Sequence, residues 1–479
     1  MEFNRRNFLK GVAVSAAAGV AAAGHAGKDA EAFDGGSYDV VVVGGGPAGV
    51  CAAVAAARNG ARTFLVEQGN CLGGMATQGL VGPFMTCYDK DGRRQIIKGI
   101  FDEIVGKLVA RGGAIHPRDV RAGTSFTAWI TRGHDHLTPF EPEALKFLLD
   151  DLCAEAGVKV LFHATFARPV LDGTTLRGVE VLTKAGLRSI GARVVVDATG
   201  DGDVAFRAGV PCVLGDPARK GAMQPCSMFF RISNLPEAVV QADYDAHHGD
   251  MRNRLYSRYV KEAVKAGDWT VPRPHINIYR GVKDDEWFVN VSRLNGVDPT
   301  DPESLSAAET AGRRQVAEVM NLFRKYVPGG DRARLVATGS TLGIRESRHV
   351  MGEYTLDKDD VLEGRLPADR VMVCSSAIDL HGGKGASGTY YAMVRDGDCY
   401  GVPYRCLVPK KVDNLLVTGR CVSASSVAAA AIRVMPPAMA LGEAAGTAAA
   451  LCVKSGATPR TLAADGLVAR LREQGAFLG

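Results

Sequence analysis

VVVVGGGPAGVCAAVAAARNGARTFLVE, residues 40–67, is the stretch whose reading decides the fold. Four consecutive valines, Val40 to Val43, read as a strand buried on both faces, the state of a central parallel strand. Gly44-Gly45-Gly46-Pro47-Ala48-Gly49 then fits G-x-G-x-x-G, an Ala-rich helix runs to Asn59, and Gly60 stands at the C-cap position. Thr63 to Val66 reads as a second strand ending on Glu67. Gly44 permits the tight turn, Gly46 lets backbone approach a pyrophosphate, and Gly49 lets the helix pack closely on the strand. Pro47 opens a helix whose N-terminus faces phosphate charge. Glu67, about 20 residues on, stands where a carboxylate accepts hydrogen bonds from a ribose diol. The motif alone is weak evidence. Gly383 to Gly388 fits the same spacing, but the sequence shows no strand before it and no amphipathic helix after it.

Composition sets bounds around this unit. The 479 residues suggest two or three structural units, and 46% hydrophobic with 23% charged residues is ordinary for a globular protein. A net charge of +5 without a long basic run gives no indication of nucleic-acid binding. Asn4-Arg5-Arg6-Asn7-Phe8-Leu9-Lys10 is a twin-arginine pattern, followed by an apolar run to Gly24 that is too short and too Ala/Gly-rich for a stable membrane span. Residues 1–32 are therefore expected to be an export signal, cut after Ala32 or Ala26, which sends the folded protein to the periplasm. The 11 cysteines show no metal-ligand or C-x-x-C spacing, so no structural metal is expected.

Further along, Gly69 to Thr77 is a small-residue loop suited to a large planar ligand. Gly133-His134-Asp135-His136 carries two histidines that could bind metal but read first as an exposed loop pair. Ile97 to Arg111 and Pro142 to Ala156 read as helices, and Lys159 to Asp197 as a strand followed by a meander. Asp197-Ala198-Thr199-Gly200-Asp201-Gly202-Asp203 ends a buried strand in glycines. From Gly221 the texture changes to alternating, half-exposed strands and a long helix from Pro302 to Lys325. Asn414 to Arg420 is another buried strand ending in glycine, and Pro436-Pro437 starts an Ala/Gly-rich helix to Leu451.

GGGPAG, LGGMAT, DATGDGD, LGIRESRHVMGEY, GVPYRCLVPKKVDNLLVTGRC and RVMPPAMALGEAAGTAAA occur in that order along essentially the whole chain after residue 32. Together they resemble the FAD-dependent oxidoreductases that share the fold of the fumarate reductase flavoprotein and p-hydroxybenzoate hydroxylase. The resemblance implies an α/β chain: a discontinuous Rossmann-like FAD-binding domain of the ββα type (36–220 and 336–479) and an inserted mixed α+β substrate domain (221–335). It places Gly44, Gly46, Pro47 and Gly49 at the pyrophosphate, and Glu67 and Gln68 at the adenosine ribose. Gly74, Met75, Ala76 and Thr77 would line the flavin, Thr199, Gly200, Gly419 and Arg420 would flank the ribityl and phosphates, and the helix near Pro437 would face the pyrimidine end of the ring. Ser423 to Ser426 and the Gly382–Gly388 stretch depart from the family pattern where substrate binds.

Flavin carries the hydride chemistry, and the protein supplies position, charge and proton transfer. His381 is the candidate general acid/base, its ordinary pKa lying near neutrality. Arg345, Arg348 and Arg433 suit a carboxylate or oxyanion through bidentate contacts. Tyr404 and Arg405 are further candidates, and Arg345 and Arg348 could instead form an ion-pair network around Glu346. The expectation is an exported enzyme that moves a hydride between a small organic substrate, carboxylate or hydroxylated, and FAD, with electrons passed to an external carrier. The alternative is a flavin-dependent hydratase or isomerase that uses FAD without net redox change.

Overall fold

The valine strand of the opening motif lies at the centre of the largest sheet. A computed structural model describes residues 34–251, 255–382 and 388–479; the expected export signal and residues 383–387 lie outside the described residues. β1 (Ser37–Val43) turns into α1 (Pro47–Arg58) and β2 (Thr63–Val66). α2 (Ile100–Ala110) and α3 (Pro142–Glu155) precede β3 (Lys159–Leu161) and the meander β4 (Thr165–Asp172), β5 (Thr175–Thr183) and β6 (Gly186–Asp197). The strand order is β3-β2-β1-β6-β5-β4. β1 runs parallel to both neighbours, with Val41 opposite Phe64 on one side and Val195 on the other. Alternation along the strand explains the all-valine run. Val40 and Val42 pack with Val50 and Val54 of α1, while Val41 and Val43 pack with Phe64, Val181 and Val195 on the other face.

After α4 (Asp203–Arg207) and β7 (Cys212–Leu214), the chain builds a second sheet. Its parts are β8 (Phe230–Ser233), α5 (Glu237–Met251), α6 (Ser257–Ala266), β9 (Asn277–Arg280), β10 (Trp287–Asn290), α7 (Pro302–Tyr326) and β11 (Arg334–Thr338). The four strands pair antiparallel in the order β11-β8-β10-β9. A separate hydrophobic core draws on residues 226–342, and Trp129 from the irregular segment 114–140 joins it.

The chain then returns through β12 (Arg348–Val350), α8 (Lys358–Leu362), β13 (Arg370–Cys374), β14 (Ile378–His381), β15 (Thr389–Ala392), β16 (Tyr400–Pro403) and β17 (Leu415–Val417). β17 adds parallel to β6, Leu416 opposite Val196, so both ends of the described chain share one sheet. α9 (Ser426–Ile432) and α10 (Met435–Ser455) follow. α10 lies on α1 at a separation only glycine allows: a Cβ at Gly442 would stand 2.1 Å from Ala48 O, and one at Gly446 2.0 Å from Ala52 O. This contact brings the N-termini of both helices to the same cavity.

Two expectations need correcting. β14 ends just before the Gly383–Gly388 stretch, so a strand does precede it, and β15 pairs with β14 antiparallel, His381 opposite Thr389. The sequence hid this because Ile378 to His381 is too short and too polar to read as a strand. His136 is buried, its ring stacked on Tyr88 and its nitrogens within 2.9 Å of Pro117 O and 3.0 Å of Gly92 O. Among the described residues no helix is long and apolar enough to cross a membrane.

Candidate active site

One cavity of about 1760 Å³ runs from the Gly44–Gly49 turn to the β14–β15 hairpin. That exceeds the ~300–1,000 Å³ of ordinary small-molecule sites, as a cleft shared by a dinucleotide and a substrate requires. At one end, Gly46 is the N-cap of α1 and lines the cavity. A Cβ there would meet no protein atom within 4 Å, so the side chain it lacks would occupy ligand space. Gly49 is different: a Cβ would lie 1.8 Å from Gly44 O, so this glycine serves packing of helix on turn. Glu67 is buried at the tip of β2, where Oε2 accepts from Gly45 N–H (2.7 Å) and Oε1 from Gly69 N–H (2.6 Å).

Beside that turn, β6 ends in Asp197, whose carboxylate accepts from Thr199 Oγ1 (2.7 Å) and Ala205 N–H (2.9 Å) and fixes the Thr199–Asp203 loop. Burial raises the Asp197 carboxyl to about 6. Arg420 Nη2 pairs with Asp201 at 2.6 Å, close under Gly200. Arg348 pairs with Asp203 at 2.8 Å and lies over the Phe206 ring. These two cations are matched one to one by carboxylates. The group fits FAD: a glycine cradle, a carboxylate at the tip of β2 and two helix N-termini open to one cleft, and Arg420 Nε is buried without a partner among the described residues.

The other end is built differently. His381, at the end of β14, places Nε2 3.2 Å from Asp379 Oδ2 and Nδ1 3.1 Å from Thr389 Oγ1. Burial, with Arg345 adding to it against Asp379, pulls His381 down to about 4, so the imidazole is neutral at pH 7. Burial works to raise the Asp379 carboxyl, but His381, Arg433 and Arg345 outweigh it and hold it well below the usual range. Arg345 Nη1 donates to Pro225 O (2.6 Å) and Ser227 Oγ (2.9 Å), and no carboxylate among the described residues pairs with it. Burial, then Arg433 and Arg273, bring it down to about 9, where it is still charged. Arg433 donates to Asp379 O at 3.0 Å.

The cavity wall thus gathers Gly44, Gly46, Pro47, Glu67, Gln68, Gly74, Met75, Thr199, Gly200, Gly419, Arg420, Arg345, Arg348, Arg433 and His381. It does not gather Gly49, Ala76, Thr77 or Pro437. Ala76 is fully buried, Thr77 Oγ1 donates to Leu72 O (2.6 Å), and α10 begins at Met435, so Val434, Met435 and Ala438 face the cleft where Pro437 was expected. Arg348 belongs with Asp203 at the Thr199–Asp203 end, away from His381. Among the described residues no ion-pair network joins Arg345 and Arg348 through Glu346, whose carboxylate meets His349 Nε2 at 3.1 Å. Tyr404 donates to Pro459 O and Arg405 pairs with Asp369, and neither lines the cavity. Sequence reasoning missed Asp379 and Thr389, whose only signal is their position around His381. It also missed Arg273, Arg293 and Tyr279, single residues outside any motif. His134 lines the cavity beside Tyr279, their rings stacked at 6.2 Å.

Parallel strands with a glycine turn and an acid at the tip of β2, opening on one large cleft, define a dinucleotide-binding enzyme of the flavoprotein kind. The model of the FAD dependent oxidoreductase family matches residues 39–474, and the chain belongs to that family. It is an FAD-dependent oxidoreductase. It is similar to the digeranylgeranylglycerophospholipid reductase of Methanoculleus marisnigri, 29% identical over 196 residues, which are 40% of this chain and 45% of that protein. It is also similar to the chloroplastic geranylgeranyl diphosphate reductase of Nicotiana tabacum, 32% identical over 141 residues, 29% of this chain and 27% of that protein. The match thus spans less than half the length of these curated relatives. Among solved structures, a geranylgeranyl bacteriochlorophyll reductase-like protein of Thermoplasma acidophilum aligns over 92% of this chain and 84% of its own, at 12% identity and a TM-score of 0.41. The p-nitrophenol 4-monooxygenase of Pseudomonas putida aligns over 91% and 85%, at 12% identity and a TM-score of 0.45.

Proposed function

We propose that the protein oxidises or reduces a small organic anion by hydride transfer through FAD and passes the electrons to an external carrier. In this reading the enzyme belongs with the fumarate reductase and p-hydroxybenzoate hydroxylase type. It is exported by the twin-arginine route to the periplasm, with residues 36–220 and 336–479 binding FAD and 221–335 covering the substrate. The observation that carries the reading is Arg345, a half-buried guanidinium without a carboxylate partner among the described residues, beside the Asp379–His381–Thr389 array in the cleft that receives the cofactor. Bound FAD supplies the hydride acceptor or donor. Gly44, Gly46, Glu67, Thr199 and Gly419 hold it, and the N-terminus of α10 stabilises negative charge in front of it. Arg345 and Arg433 orient the substrate's acidic group. Thr389 Oγ1 relays the substrate proton to His381 Nδ1 while Asp379 steadies the imidazolium.

The test is anaerobic. FAD-loaded protein is mixed with saturated and 2-hydroxy carboxylates, and photoreduced protein with unsaturated and 2-keto carboxylates, while the visible flavin band is followed. Bleaching in the first case or reoxidation in the second is expected. Carboxylates that displace the spectrum without any change of redox state would overturn the redox step in favour of a hydratase or isomerase.

A further inference from the structure

Arg345 lies before β12, His381 ends β14 and Arg433 follows α9, yet one short run ahead of β8, residues 224–227, holds all of them. Pro225 O accepts from Arg345 Nη1 at 2.6 Å, and Ser227 Oγ accepts from the same nitrogen at 2.9 Å. Gln224 is buried and does not line the cavity. Its Oε1 accepts the backbone N–H of His381 at 3.2 Å and stands 3.5 Å from Arg433 Nη2. Its own backbone N–H donates to Glu346 Oε2 at 2.8 Å, and Glu346, the residue after Arg345, is fixed in turn by His349 Nε2 at 3.1 Å. Both neighbours of Oε1 are donors, so the amide cannot be turned round without setting N–H against N–H. In this orientation Nε2 is buried with no partner among the described residues. An unmet buried amide is unfavourable, and leucine would fill much the same volume without it. What glutamine has over leucine is the oxygen that holds His381 and Arg433.

We propose that Gln224 is a positioning residue for the site: its amide oxygen places His381 and Arg433 relative to Arg345, which the neighbouring carbonyl holds. This rests on the proton-transfer role given to His381 above. Gln224 touches neither substrate nor cofactor and acts through the residues it holds. The charged groups facing His381 are Asp379, Arg345 and Arg433, with Arg219 beside the adjoining Gly382 and Arg293 at Gly388 O. A charge placed at residue 224 would join that set, and the imidazole would register it.

The experiment compares the parent with Gln224→Leu and Gln224→Glu, all loaded with FAD, by two readouts. One is the titration of His381, followed by NMR in histidine-labelled protein and assigned with His381→Asn. The other is stopped-flow flavin reduction or reoxidation with the carboxylate that proves active, resolved into a limiting rate and a substrate Kd. Gln224→Leu should lower the limiting rate about 10–100-fold, as misplacement of a reacting group does, with flavin content retained and Kd within about threefold. Gln224→Glu keeps an acceptor for the His381 N–H and should recover much of that rate. Its carboxylate should also raise the His381 midpoint from about 4 by about one pH unit. A midpoint that Gln224→Glu leaves unmoved would overturn the proposal. So would a Gln224→Leu protein that matches the parent rate, or one whose loss lies wholly in Kd. Should Gln224→Leu fail to fold, the Gln224→Glu titration decides alone. If no carboxylate changes the redox state of the flavin, the anionic-substrate reading falls by itself, while the titration still accepts or rejects the hold of Gln224 on His381.

Discussion

The two ends of the cavity handle charge in opposite ways. At the glycine-turn end Arg420 and Arg348 each have their own carboxylate, Asp201 and Asp203, and negative ligand charge is left to backbone N–H groups and helix N-termini. At the hairpin end Arg345 and Arg273 have no carboxylate among the described residues, and Asp379 is shared by His381 and Arg433. The first end has its ion pairs made before any ligand arrives, so its specificity is one of shape. In the proposed reading the second is completed by a ligand's charge. Substitutions at the first end should therefore cost flavin or fold, and substitutions at the second should cost binding or turnover with flavin retained.

The largest effect expected is at Gly49. Gly49→Val drives a side chain into Gly44 O, where a Cβ would already be 1.8 Å away, and should leave no folded, yellow protein. Gly46→Val is the sharper variant, because its Cβ meets no protein atom. That protein should melt near the parent apoprotein and yet fail to retain FAD, read from the flavin-to-protein absorbance ratio. A yellow Gly46→Val protein would break the comparison, since shape would then not govern the first end.

This asymmetry also decides what the sequence made legible. The cofactor end is local: strand, turn, helix and acid fall within residues 37–67, and each has a periodicity or a glycine to mark it. Even there, Gly49, Ala76 and Thr77 turned out to support the wall from behind, because a motif fixes neighbours along the chain and not which side chain faces a cavity. The hairpin end is assembled from distant pieces. Asp379 and His381 come from β14, Thr389 from β15, Arg345 from the run before β12, and Arg273 from the segment before β9. A single arginine in an irregular segment such as residues 271–275 has no pattern that distinguishes it from a surface residue. The partners of Arg348 and the burial of His136 were hidden for the same reason: both depend on contacts made far along the chain.

Next in size is the proton relay. His381→Asn should retain FAD and lower turnover by about 10²–10⁴, the usual contribution of general acid–base catalysis. Thr389→Val should act in the same direction but less, because the imidazole is kept and the relay hydroxyl is lost. His381 is held down to about 4, so its base form is already filled at neutral pH. For substrate oxidation the wild-type rate should be flat above about pH 5 and fall only as pH drops through about 4, a stopped-flow measurement of flavin reduction against pH. A limb near 6.5, the ordinary value for histidine, would mean that His381 is not the base or that its surroundings do not depress it.

The smallest effect lies behind the cofactor wall. Glu443 of α10 is buried, and its Oε2 accepts Ile100 N–H (2.9 Å) at the start of α2. Burial raises the carboxyl to about 7, with that N–H opposing the rise. A carboxyl raised in the folded state favours folding below its unfolded pKa, and that contribution is lost as pH rises through about 7. Gln in this place keeps an oxygen for Ile100 N–H and never ionises. Relative to the parent, Glu443→Gln should therefore gain roughly 2 kcal/mol between pH 5 and pH 8. The parent loses about 1.4 kcal/mol for each pH unit over which its folded carboxyl holds a proton that the unfolded one has released. Thermal melts should show the variant at or slightly below the parent at pH 5 and a few degrees above it at pH 8. Flavin content should not change at either pH. If Glu443→Gln instead lost stability and flavin together at pH 8, a buried charge would be supporting the cofactor end, and the distinction between an end held by packing and an end completed by charge would fail.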